Sequence, residues 1–497
     1  MTTSVNQTTP VAATGITGLD KILGGGLPRD HLYLVEGATG TGKTTVALKF
    51  ILEGIRRGEP VMYITLSETA EELRLVAASH GWSLDGVQLY ELPAAEKLPI
   101  MEKRYTLFPI AEVERGNILQ AVFKEVERIH PARLVLDTLS GLRLLAESPL
   151  HHRQQMQGLR QFLSGRACTS LFVDDVLSNA DDYQYPSLVH GIIRLERIIP
   201  VYGGVQRRLV ITKMRGLAFA ESYHDLKITA GDLLVYPHLV AAEHKITFAQ
   251  EQVSSGIAEL DTLLGGGLDR GQSTLLLGPS GTGKSTVAMQ YAMAAASRGE
   301  RSMVCLFEET VETYIQRGVG LGMDIQTQVN AGRMTVKKID PASLSVGEFA
   351  HQICQAVEQE AVRLLVVDSL GGYLHAMPEA KFLSLHLQEL LTYLNNRGVV
   401  SLLIMVQPGF IGSELRTPID LSSIADAVLL LRFFEAQGRV RKAISVIKRR
   451  GGRHESIIRE LQLTSEGVQV GEPLESFQGI LSGIPRYVGE ETALLEK

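Results

Sequence analysis

The sequence has few cysteines and no hydrophobic run of membrane-spanning length. Its three cysteines, Cys168, Cys305 and Cys354, lie far apart in 497 residues, which excludes a CxxC zinc ribbon and a disulfide framework. No apolar stretch approaches the roughly 20 residues that a bilayer-spanning helix needs. The polar N-terminal segment also lacks the basic and apolar regions of an export signal. We therefore expect a cytoplasmic protein.

A strong charge of either sign is also absent. The formal net charge is −6 at pH 7, with 45% hydrophobic and 21% charged residues, which is close to average soluble usage. This balance gives no global attraction to nucleic acid or anionic lipid, and no zinc-finger spacing or low-complexity segment occurs. We expect neither a membrane nor a nucleic acid as a partner. The length allows about two to four domains.

The chain contains two copies of one long pattern. The segment ITGLDKILGGGLPRD, Ile16 to Asp30, recurs as IAELDTLLGGGLDRG, Ile257 to Gly271. Lys43 and Lys284 are likewise 241 residues apart, and later landmarks keep the same order. A period of this length is too long for a solenoid unit and is sufficient for a core in each copy. We predict a first domain over residues 1–245 and a second over residues 246–497.

Each copy alternates short apolar runs with helical patterns. In copy one, Leu32 to Glu36 and Arg133 to Leu139 have the continuous apolar character of buried strands. Copy two repeats the second of these as Arg363 to Leu370. Alternation of this kind predicts an α/β fold with a parallel sheet covered by helices, whose ligand site lies at the carboxyl ends of the strands.

Both copies carry the phosphate-binding pattern GxxxxGK[ST] directly after a strand. Its glycines let backbone N–H groups surround phosphates, its lysine reaches the β- and γ-oxygens, and its hydroxyl binds Mg²⁺. One match alone could be a glycine-rich turn, but two matches in register with a repeat indicate nucleotide binding. The predicted nucleotide-binding residues are Gly37, Gly40, Thr41, Gly42, Lys43, Thr44 and Thr45, and Gly278, Gly281, Thr282, Gly283, Lys284, Ser285 and Thr286.

An aspartate ends a later strand in each copy, Asp137 in LVLD and Asp368 in LVVD. A single aspartate at a strand end is more often a turn former or a helix cap. Its recurrence after the same apolar run in two P-loop copies favours a carboxylate of the Mg²⁺ shell. With Thr44 and Ser285, these aspartates form the predicted metal sites. The sequence therefore predicts a tandem P-loop NTPase that uses ATP and Mg²⁺.

The remaining matched segments resemble the KaiC family. The GLDxxLGGGL-like opening, the P-loop, glutamate after the next strand, the strand-end aspartate and a KxRG segment occur in both copies. The resemblance covers nearly the whole chain. It implies two tandem RecA-like domains, each a mostly parallel sheet flanked by helices. It also implies an ATP-dependent homohexamer with ATPase and autokinase activity.

The resemblance assigns catalytic roles to carboxylates and basic residues. Copy two has Glu308 and Glu309 after its second strand, whereas copy one has Ser67 and then Glu68. A carboxylate here can orient or deprotonate a nucleophile, although a solvated turn is the plainer interpretation. A basic segment of the family reaches the nucleotide of the adjacent subunit, although an exposed strand end would look similar. The residues of that segment are Lys213, Arg215, Lys448 and Arg450.

The resemblance also points to a phosphorylation site in copy two. Ser422 and Ser423 align with the Ser/Thr pair that family members phosphorylate, and Asp426 matches an aspartate of the same motif. Glu308 would be the general base, with ATP held on Lys284 of a neighbouring subunit. A helix cap or a turn explains the two serines equally well from the sequence.

Partners and function follow as expectations from the same resemblance. The segment after FQGILSGIPR is short, so we expect no KaiA-type partner, whereas a KaiB-like partner on copy one is compatible with the sequence. The expected role is an ATPase and serine/threonine autokinase in timing, stress or signalling regulation. The alternatives are a RecA- or RadA-like DNA-dependent ATPase and a non-catalytic hexameric scaffold held together by nucleotide. Ser67 makes the scaffold credible for copy one.

Overall fold

A computed structural model describes most of the chain, namely residues 10–92, 111–145, 148–175, 185–199, 203–375, 380–407, 424–481 and 485–488. Contacts divide the chain into two compact units, and the main boundary between them lies between His238 and Leu239. The domain limits drawn from the repeat, 1–245 and 246–497, stay predictions. Among the described helices, none has the length and apolarity to cross a membrane.

Among its described residues, the first unit contains a central sheet of nine strands and a separate pair formed by its first two strands. Its strands are β1 (Val11–Ala12), β2 (Leu27–Pro28), β3 (Leu32–Gly37), β4 (Val61–Thr65), β5 (Gln88–Glu91), β6 (Arg133–Asp137), β7 (Thr169–Asp174), β8 (Gly191–Ile198), β9 (Gln206–Met214), β10 (His224–Ile228) and β11 (Leu233–Tyr236). Its helices are α1 (Thr17–Ile22), α2 (Lys43–Arg56), α3 (Ala70–Ser79), α4 (Ala111–Ile129), α5 (Leu139–Leu145), α6 (Pro149–Leu163) and α7 (Tyr185–Leu188).

The strand order of this sheet is that of a mostly parallel α/β domain. Within the described residues, nine strands pair in the order β11-β10-β9-β8-β3-β7-β6-β4-β5. The pairs from β8 to β5 are parallel, and those from β8 to β11 are antiparallel. Because the parallel strands share one direction, their carboxyl ends, including the end of β3, lie at one edge of the sheet.

Both faces of the sheet are buried. Tyr33 and Val35 of β3 enter one apolar cluster, whereas Leu32 and Leu34 enter another. Successive side chains of a strand point to opposite faces, so a continuous apolar run suits a sheet with helices on both sides. This is why the run from Leu32 shows no alternation of polar and apolar residues.

The second unit repeats this architecture. Its strands are β12 (Gln252–Val253), β13 (Leu268–Asp269), β14 (Ser273–Gly278), β15 (Arg301–Leu306), β16 (Met334–Lys338), β17 (Val362–Asp368), β18 (Val400–Val406), β19 (Ala427–Ala436), β20 (Arg439–Arg449), β21 (Ile458–Thr464), β22 (Gly467–Pro473), β23 (Phe477–Gln478) and β24 (Arg486–Tyr487). Its helices are α8 (Ala258–Leu263), α9 (Lys284–Ser297), α10 (Val311–Gly320), α11 (Ile325–Asn330), α12 (Val346–Gln359), α13 (Leu370–His375) and α14 (Ala380–Asn396).

The second sheet has the same plan as the first. In the part of this unit that the structure describes, nine strands pair in the order β16-β15-β17-β18-β14-β19-β20-β21-β22. The first six are parallel and the last three continue antiparallel. The predicted fold class, two α/β domains with mostly parallel sheets flanked by helices, is confirmed.

Two glycines inside helices of the first unit have contrasting surroundings. A Cβ atom on Gly54 of α2 would lie 2.6 Å from Cγ1 of Val61 and 2.7 Å from Cδ of Arg133. A Cβ atom on Gly158 of α6 would meet nothing within 4 Å. The two positions therefore separate the effect of core overpacking from that of helix propensity.

We expect Gly54→Ala to lower the free energy of unfolding of the first unit by about 1–3 kcal/mol, because overpacking outweighs the gain in helix propensity. Its matched control, Gly158→Ala, should raise that free energy by about 0.5–1 kcal/mol. Urea unfolding followed by Trp82 fluorescence measures both, since Trp82 is the single tryptophan and its Nε1 donates to the Gly231 carbonyl oxygen at 2.8 Å. Equal unfolding midpoints for the two variants would contradict this explanation.

Candidate functional site

The loop between β3 and α2 closes around the ammonium group of Lys43. Its Nζ donates to the carbonyl oxygens of Gly37 at 2.8 Å and Ala38 at 3.0 Å, and the Thr41 hydroxyl donates to the same Ala38 oxygen at 2.8 Å. The helix that follows begins after Gly42, which has a left-handed φ of 102° that glycine adopts readily. A loop of this shape at a helix N-terminus is suited to bind phosphate.

The loop between β14 and α9 has the same construction. Lys284 Nζ donates to the Pro279 carbonyl oxygen at 2.7 Å, and the Thr282 hydroxyl donates to that oxygen at 2.9 Å. Gly283 has a φ of 103°. Burial lowers the pKa of Lys284 to about 8, because a low-dielectric environment disfavours its charge. A phosphate beside this ammonium group would offset the cost of burying it.

The glycine positions of the first loop leave no space for a side chain. A Cβ atom on Gly37 would lie 2.6 Å from the Leu195 carbonyl oxygen, and one on Gly42 would lie 2.7 Å from Cδ1 of Ile228. These close approaches explain why the pattern requires glycine at both positions. The structure places all the predicted nucleotide-binding residues of each copy in one loop and the first turn of its helix, namely Gly37, Gly40, Thr41, Gly42, Lys43, Thr44 and Thr45, and Gly278, Gly281, Thr282, Gly283, Lys284, Ser285 and Thr286.

Asp137 lies beside the first loop, as the strand-end rule predicts. Its Oδ2 accepts hydrogen bonds from the Thr44 hydroxyl at 3.0 Å and the Tyr63 hydroxyl at 2.6 Å. Burial raises the pKa of Asp137, and these two hydrogen bonds partly oppose the rise. A hydroxyl and a carboxylate at this separation are oxygen ligands of the kind that Mg²⁺ prefers, so these residues fit the ion.

The second loop has an equivalent pair in Ser285 and Asp368. Burial raises the pKa of Asp368, and a hydrogen bond with the Ser285 side chain opposes the rise. In the described ranges, no group of three or more His, Cys, Asp or Glu side chains could hold a metal ion by itself. An ion at either site would therefore need further oxygen ligands, which nucleotide phosphates and water can supply.

Glu308 and Glu309 follow β15 and have different partners. Oε1 of Glu308, an exposed residue, accepts a hydrogen bond from the Ser369 hydroxyl. Oε1 of Glu309 accepts from Nη2 of Arg317 on α10 at 2.6 Å. Burial raises the pKa of Glu309, and the charge of Arg317 opposes the rise. The two neighbouring carboxylates are thus held by different elements.

In copy one, Glu68 follows β4 without a second glutamate. Thr69 caps α3 in a capping box with Glu72, which fixes the backbone next to Glu68. Glu68 is half-buried, and burial followed by the nearby charge of Asp137 raises its pKa. Ser67, at the position of Glu308, is exposed. Copy one therefore places a single, partly desolvated carboxylate near its strand-end aspartate.

The basic segments lie away from the P-loop of their own domain. Lys213 pairs with Ile192 on β8, which pairs with Leu34 on β3, three residues before the loop begins. Lys448 occupies the matching place, paired with Val428. Each lysine donates from Nζ at 2.7 Å to the carbonyl oxygen of Val189 or Ala425, the residues that precede β8 and β19. Arg215 is exposed, and Nη1 of Arg450 lies 3.5 Å from Oδ1 of Asp426.

The predicted phosphorylation sites, Ser422 and Ser423, lie outside the described residues. The neighbouring Asp426 is described, and its Oδ2 accepts hydrogen bonds from the Ser273 backbone N–H at 2.9 Å and hydroxyl at 3.0 Å. Ser273 begins β14, whereas the P-loop follows its other end. Asp426 therefore anchors the chain at the sheet edge opposite the P-loop of the same domain.

Sequence reasoning missed three residues of these sites. Oδ1 of Asp175, just after β7, accepts from Lys43 Nζ at 2.8 Å. The strand-end rule that identified Asp137 would have found Asp175 as well, since LFVDD also ends a buried strand. Ser369 could have been found because it directly follows Asp368 in the sequence. No sequence pattern pointed to Arg317, because its contact with Glu309 depends on how α10 packs.

These features define a class of protein, a tandem P-loop ATPase with two RecA-like domains. A family model described as "ATPase: KaiC" matches residues 12–240 and 253–475. The chain therefore belongs to the KaiC family of ATPases, as the sequence motifs indicated.

Curated relatives match over nearly the full chain. The circadian clock protein KaiC3 of Synechocystis sp. is 26% identical over 487 residues, covering 96% of this chain and 95% of that protein. The circadian clock protein KaiC2 of Synechocystis sp. is 27% identical over 500 residues, covering 97% and 86%. The circadian clock oscillator protein KaiC of Synechococcus elongatus is 24% identical over 493 residues, covering 98% and 93%.

The contact between Lys43 and Asp175 generates a prediction about nucleotide affinity. Asp175→Asn should raise the affinity of the first site for ATP about threefold to tenfold, since the carboxylate competes with phosphate for the ammonium group. The measurement is a titration with a fluorescent ATP analogue in a Lys284→Ala background. Asp232→Asn is the matched control, because Asp232 pairs with Lys49 at 2.7 Å. Weaker binding by Asp175→Asn would mean that Asp175 helps to hold the nucleotide.

Proposed function

We propose that this KaiC-family ATPase is also a serine/threonine autokinase that works as an ATP-dependent homohexamer. The observation that carries the proposal is that the phosphate-binding loop and the Asp426 segment lie at opposite ends of the central strands of the second domain. The P-loop follows the carboxyl end of β14, whereas Asp426 and Lys448 lie towards its other end. Six residues of extended strand span roughly 20 Å.

This division favours phosphoryl transfer between neighbouring copies. Ser422 and Ser423 precede Asp426 in the sequence, and Asp426 lies at the end of β14 opposite to Lys284. A second copy of the chain could place its own Asp426 and Lys448 next to the P-loop of the first chain. Each nucleotide site would then be complete only in an assembly, which is the arrangement expected of a ring.

The residues of copy two have separate tasks in such a transfer. Lys284 and the loop backbone would hold the β- and γ-phosphates of ATP, and Glu308 would accept the proton of the attacking serine hydroxyl. The serine oxygen bonds to the γ-phosphorus while the bond to the β-γ bridging oxygen breaks, and ADP leaves. Ser285 and Asp368 would hold Mg²⁺, which neutralises phosphate charge in such reactions.

The residues of the adjacent subunit would stabilise the charge that builds up on the transferring group. Nζ of Lys448 donates to the Ala425 carbonyl oxygen, and Nη1 of Arg450 lies 3.5 Å from Oδ1 of Asp426. In an assembly, both cations would turn towards the phosphates of the adjacent subunit. Lys213 and Arg215 would do the same for copy one. Such fixed positive charge acts without a proton transfer.

Copy one has the features of a slower site that supports assembly. Ser67 removes the first glutamate, and Asp175 engages Lys43 with a carboxylate. We propose slow hydrolysis with Glu68 as the carboxylate near the nucleophile, and a role for bound ATP in holding the ring together. A purely structural first ring, the scaffold alternative, is favoured by the same two observations.

The cellular role belongs to the same proposal. The relatives named as circadian clock proteins support a part in timing. We propose that the chain acts in timing, stress or signalling regulation in the cytoplasm, with a KaiB-like protein as a partner. Phosphate at Ser422 or Ser423 would add up to two negative charges near a subunit border. Such a change can alter ring conformation or partner affinity.

The proposal predicts phosphate on Ser422 or Ser423 after incubation with Mg-ATP, detected by mass spectrometry. Glu308→Gln and Lys284→Ala should each reduce this phosphate by at least about a hundredfold, because they remove the base and the phosphate-binding cation. Glu68→Gln is the matched control in copy one and should leave the modification in place.

A mixing experiment tests transfer between copies. Lys284→Ala chains that are incubated with chains lacking both serines should become phosphorylated, since each partner supplies what the other lacks. Wild-type protein that forms ATP-dependent oligomers by light scattering without modification would overturn the kinase and leave an ATPase or a scaffold.

A further inference from the structure

The two glutamates of copy two bind different side chains: Glu308 binds Ser369, and Glu309 binds Arg317. Arg317 binds Glu309 with 2.6 Å between Nη2 and Oε1, and their side chains are 31% and 22% exposed. The guanidinium carbon of Arg317 also lies 5.4 Å from the centroid of the Tyr314 ring, which is fully buried. A partly buried, doubly supported arginine holds a carboxylate more firmly than a solvated surface pair does.

Glu308 is held on the opposite side, next to the strand-end aspartate. Its carboxylate accepts from the hydroxyl of Ser369, the residue after Asp368. Gly371 leaves this hydroxyl accessible, since a Cβ atom there would lie 3.4 Å from the Ser369 oxygen and 4.0 Å from Oε1 of Glu308. Of the two glutamates, Glu308 is therefore the one that is hydrogen-bonded directly beside the strand-end aspartate.

Copy one lacks two parts of this arrangement, the first glutamate and the arginine, at the matching positions. Ser67 replaces Glu308, and Val76 on α3 replaces Arg317, each 241 residues earlier. The hydroxyl of Thr138, which matches Ser369, is bonded to the hydroxyl of Ser140 instead. Oε2 of Glu68, which matches Glu309, is buried without a hydrogen-bond partner. The duplicated domain thus provides an internal comparison in which the arginine and the first glutamate are lost together.

We propose that Arg317 is a positioning residue of copy two, which fixes Glu309 against α10 and leaves Glu308 as the single base for the nucleophile. In copy one, where Val76 replaces the arginine, Glu68 is not held and itself serves the nucleophile. The carboxylate that serves the nucleophile is thus the first of the two matched positions in copy two, Glu308, and the second in copy one, Glu68. The inference rests on the proposed phosphoryl transfer.

The physical reason is charge repulsion at the nucleophile. Glu309 lies close enough to Asp368 and Glu308 to feel both negative charges, and like charges at short range repel one another. Nη2 of Arg317 lies 2.6 Å from Oε1 of Glu309, and burial raises the pKa of Glu309 while this positive charge opposes the rise. Without Arg317, Glu309 would compete with Glu308 for the proton and add unbalanced negative charge beside the phosphates.

The first test replaces Arg317 by the residue that copy one carries. The full chain is used with Glu68→Gln, so that copy two dominates the ATP turnover. Arg317→Val should lower kcat about tenfold while KM for ATP changes less than about twofold, because nucleotide contacts are intact. Arg317→Lys keeps the charge and should recover at least about half of the lost activity. Circular dichroism verifies that the variants fold.

A double-mutant cycle then separates positioning from a structural effect. In a Glu309→Gln background, Arg317→Val should change kcat less than about twofold, because the carboxylate that it controls is already neutral. A tenfold loss in that background as well would overturn the inference, since Arg317 would then act independently of Glu309. Failure of Arg317→Lys to recover activity would overturn it too.

The reciprocal variant tests copy one with Glu308→Gln silencing copy two. Val76→Arg should lower the hydrolysis rate of copy one about threefold to tenfold, because the new cation would hold Glu68, the carboxylate proposed to serve the nucleophile. Val76→Leu is the matched control and should have no effect. An unchanged rate in Val76→Arg would contradict the role of Glu68.

The outcomes also separate this inference from the proposed function. A Glu68→Gln protein with native Arg317 that turns over ATP, but is insensitive to Arg317→Val, refutes only the positioning role. The same protein without turnover or serine phosphorylation refutes the catalytic assignment of copy two, and the inference with it.

Discussion

The parallel register of the central strands is the constraint on which both sites depend. Glu36 at the end of β3 pairs with Asp174 of β7, and Val173 pairs with Asp137 of β6, so the strand ends meet at one edge. This register brings the Thr44 hydroxyl within 3.0 Å of Asp137, although 93 residues separate them. A slip by one residue would turn the aspartate to the other face of the sheet. Helices on both faces prevent that slip, since alternate side chains of β3 pack into separate clusters.

The two domains share this backbone and differ in the charges placed on it. Copy one has an additional carboxylate at Lys43 and a single glutamate near its strand-end aspartate. Copy two has a buried Lys284 and a glutamate pair divided between Ser369 and Arg317. The two copies therefore share the backbone shape of the phosphate-binding loop. They differ in the charged side chains at the strand ends next to that loop.

Most of the fold, and the position of each glycine-rich loop between a strand and a helix, were predictable from the sequence. Continuous apolar runs such as that before Gly37 predict buried parallel strands, and the glycine pattern predicts the loop. The residues Asp137 and Asp368 were predictable because strand ends converge in such a sheet. The partners of the glutamates were not predictable, because Arg317 reaches Glu309 only through the packing of α10. For Lys213 and Lys448, the sequence identified the segment but not its distance from the P-loop of the same domain.

Local sequence patterns account for two P-loops, two sets of buried strands, and a serine, Ser67, at the position of the first glutamate. Each of these depends on neighbouring residues, whose backbone preferences and hydrophobicity act over a few positions. Tertiary structure decided which side chains share a site. Asp175 meets Lys43, and Asp426 anchors β14 at the opposite edge, because strands distant in sequence pair in one sheet. Such contacts arise from the topology of the sheet, which no short pattern encodes.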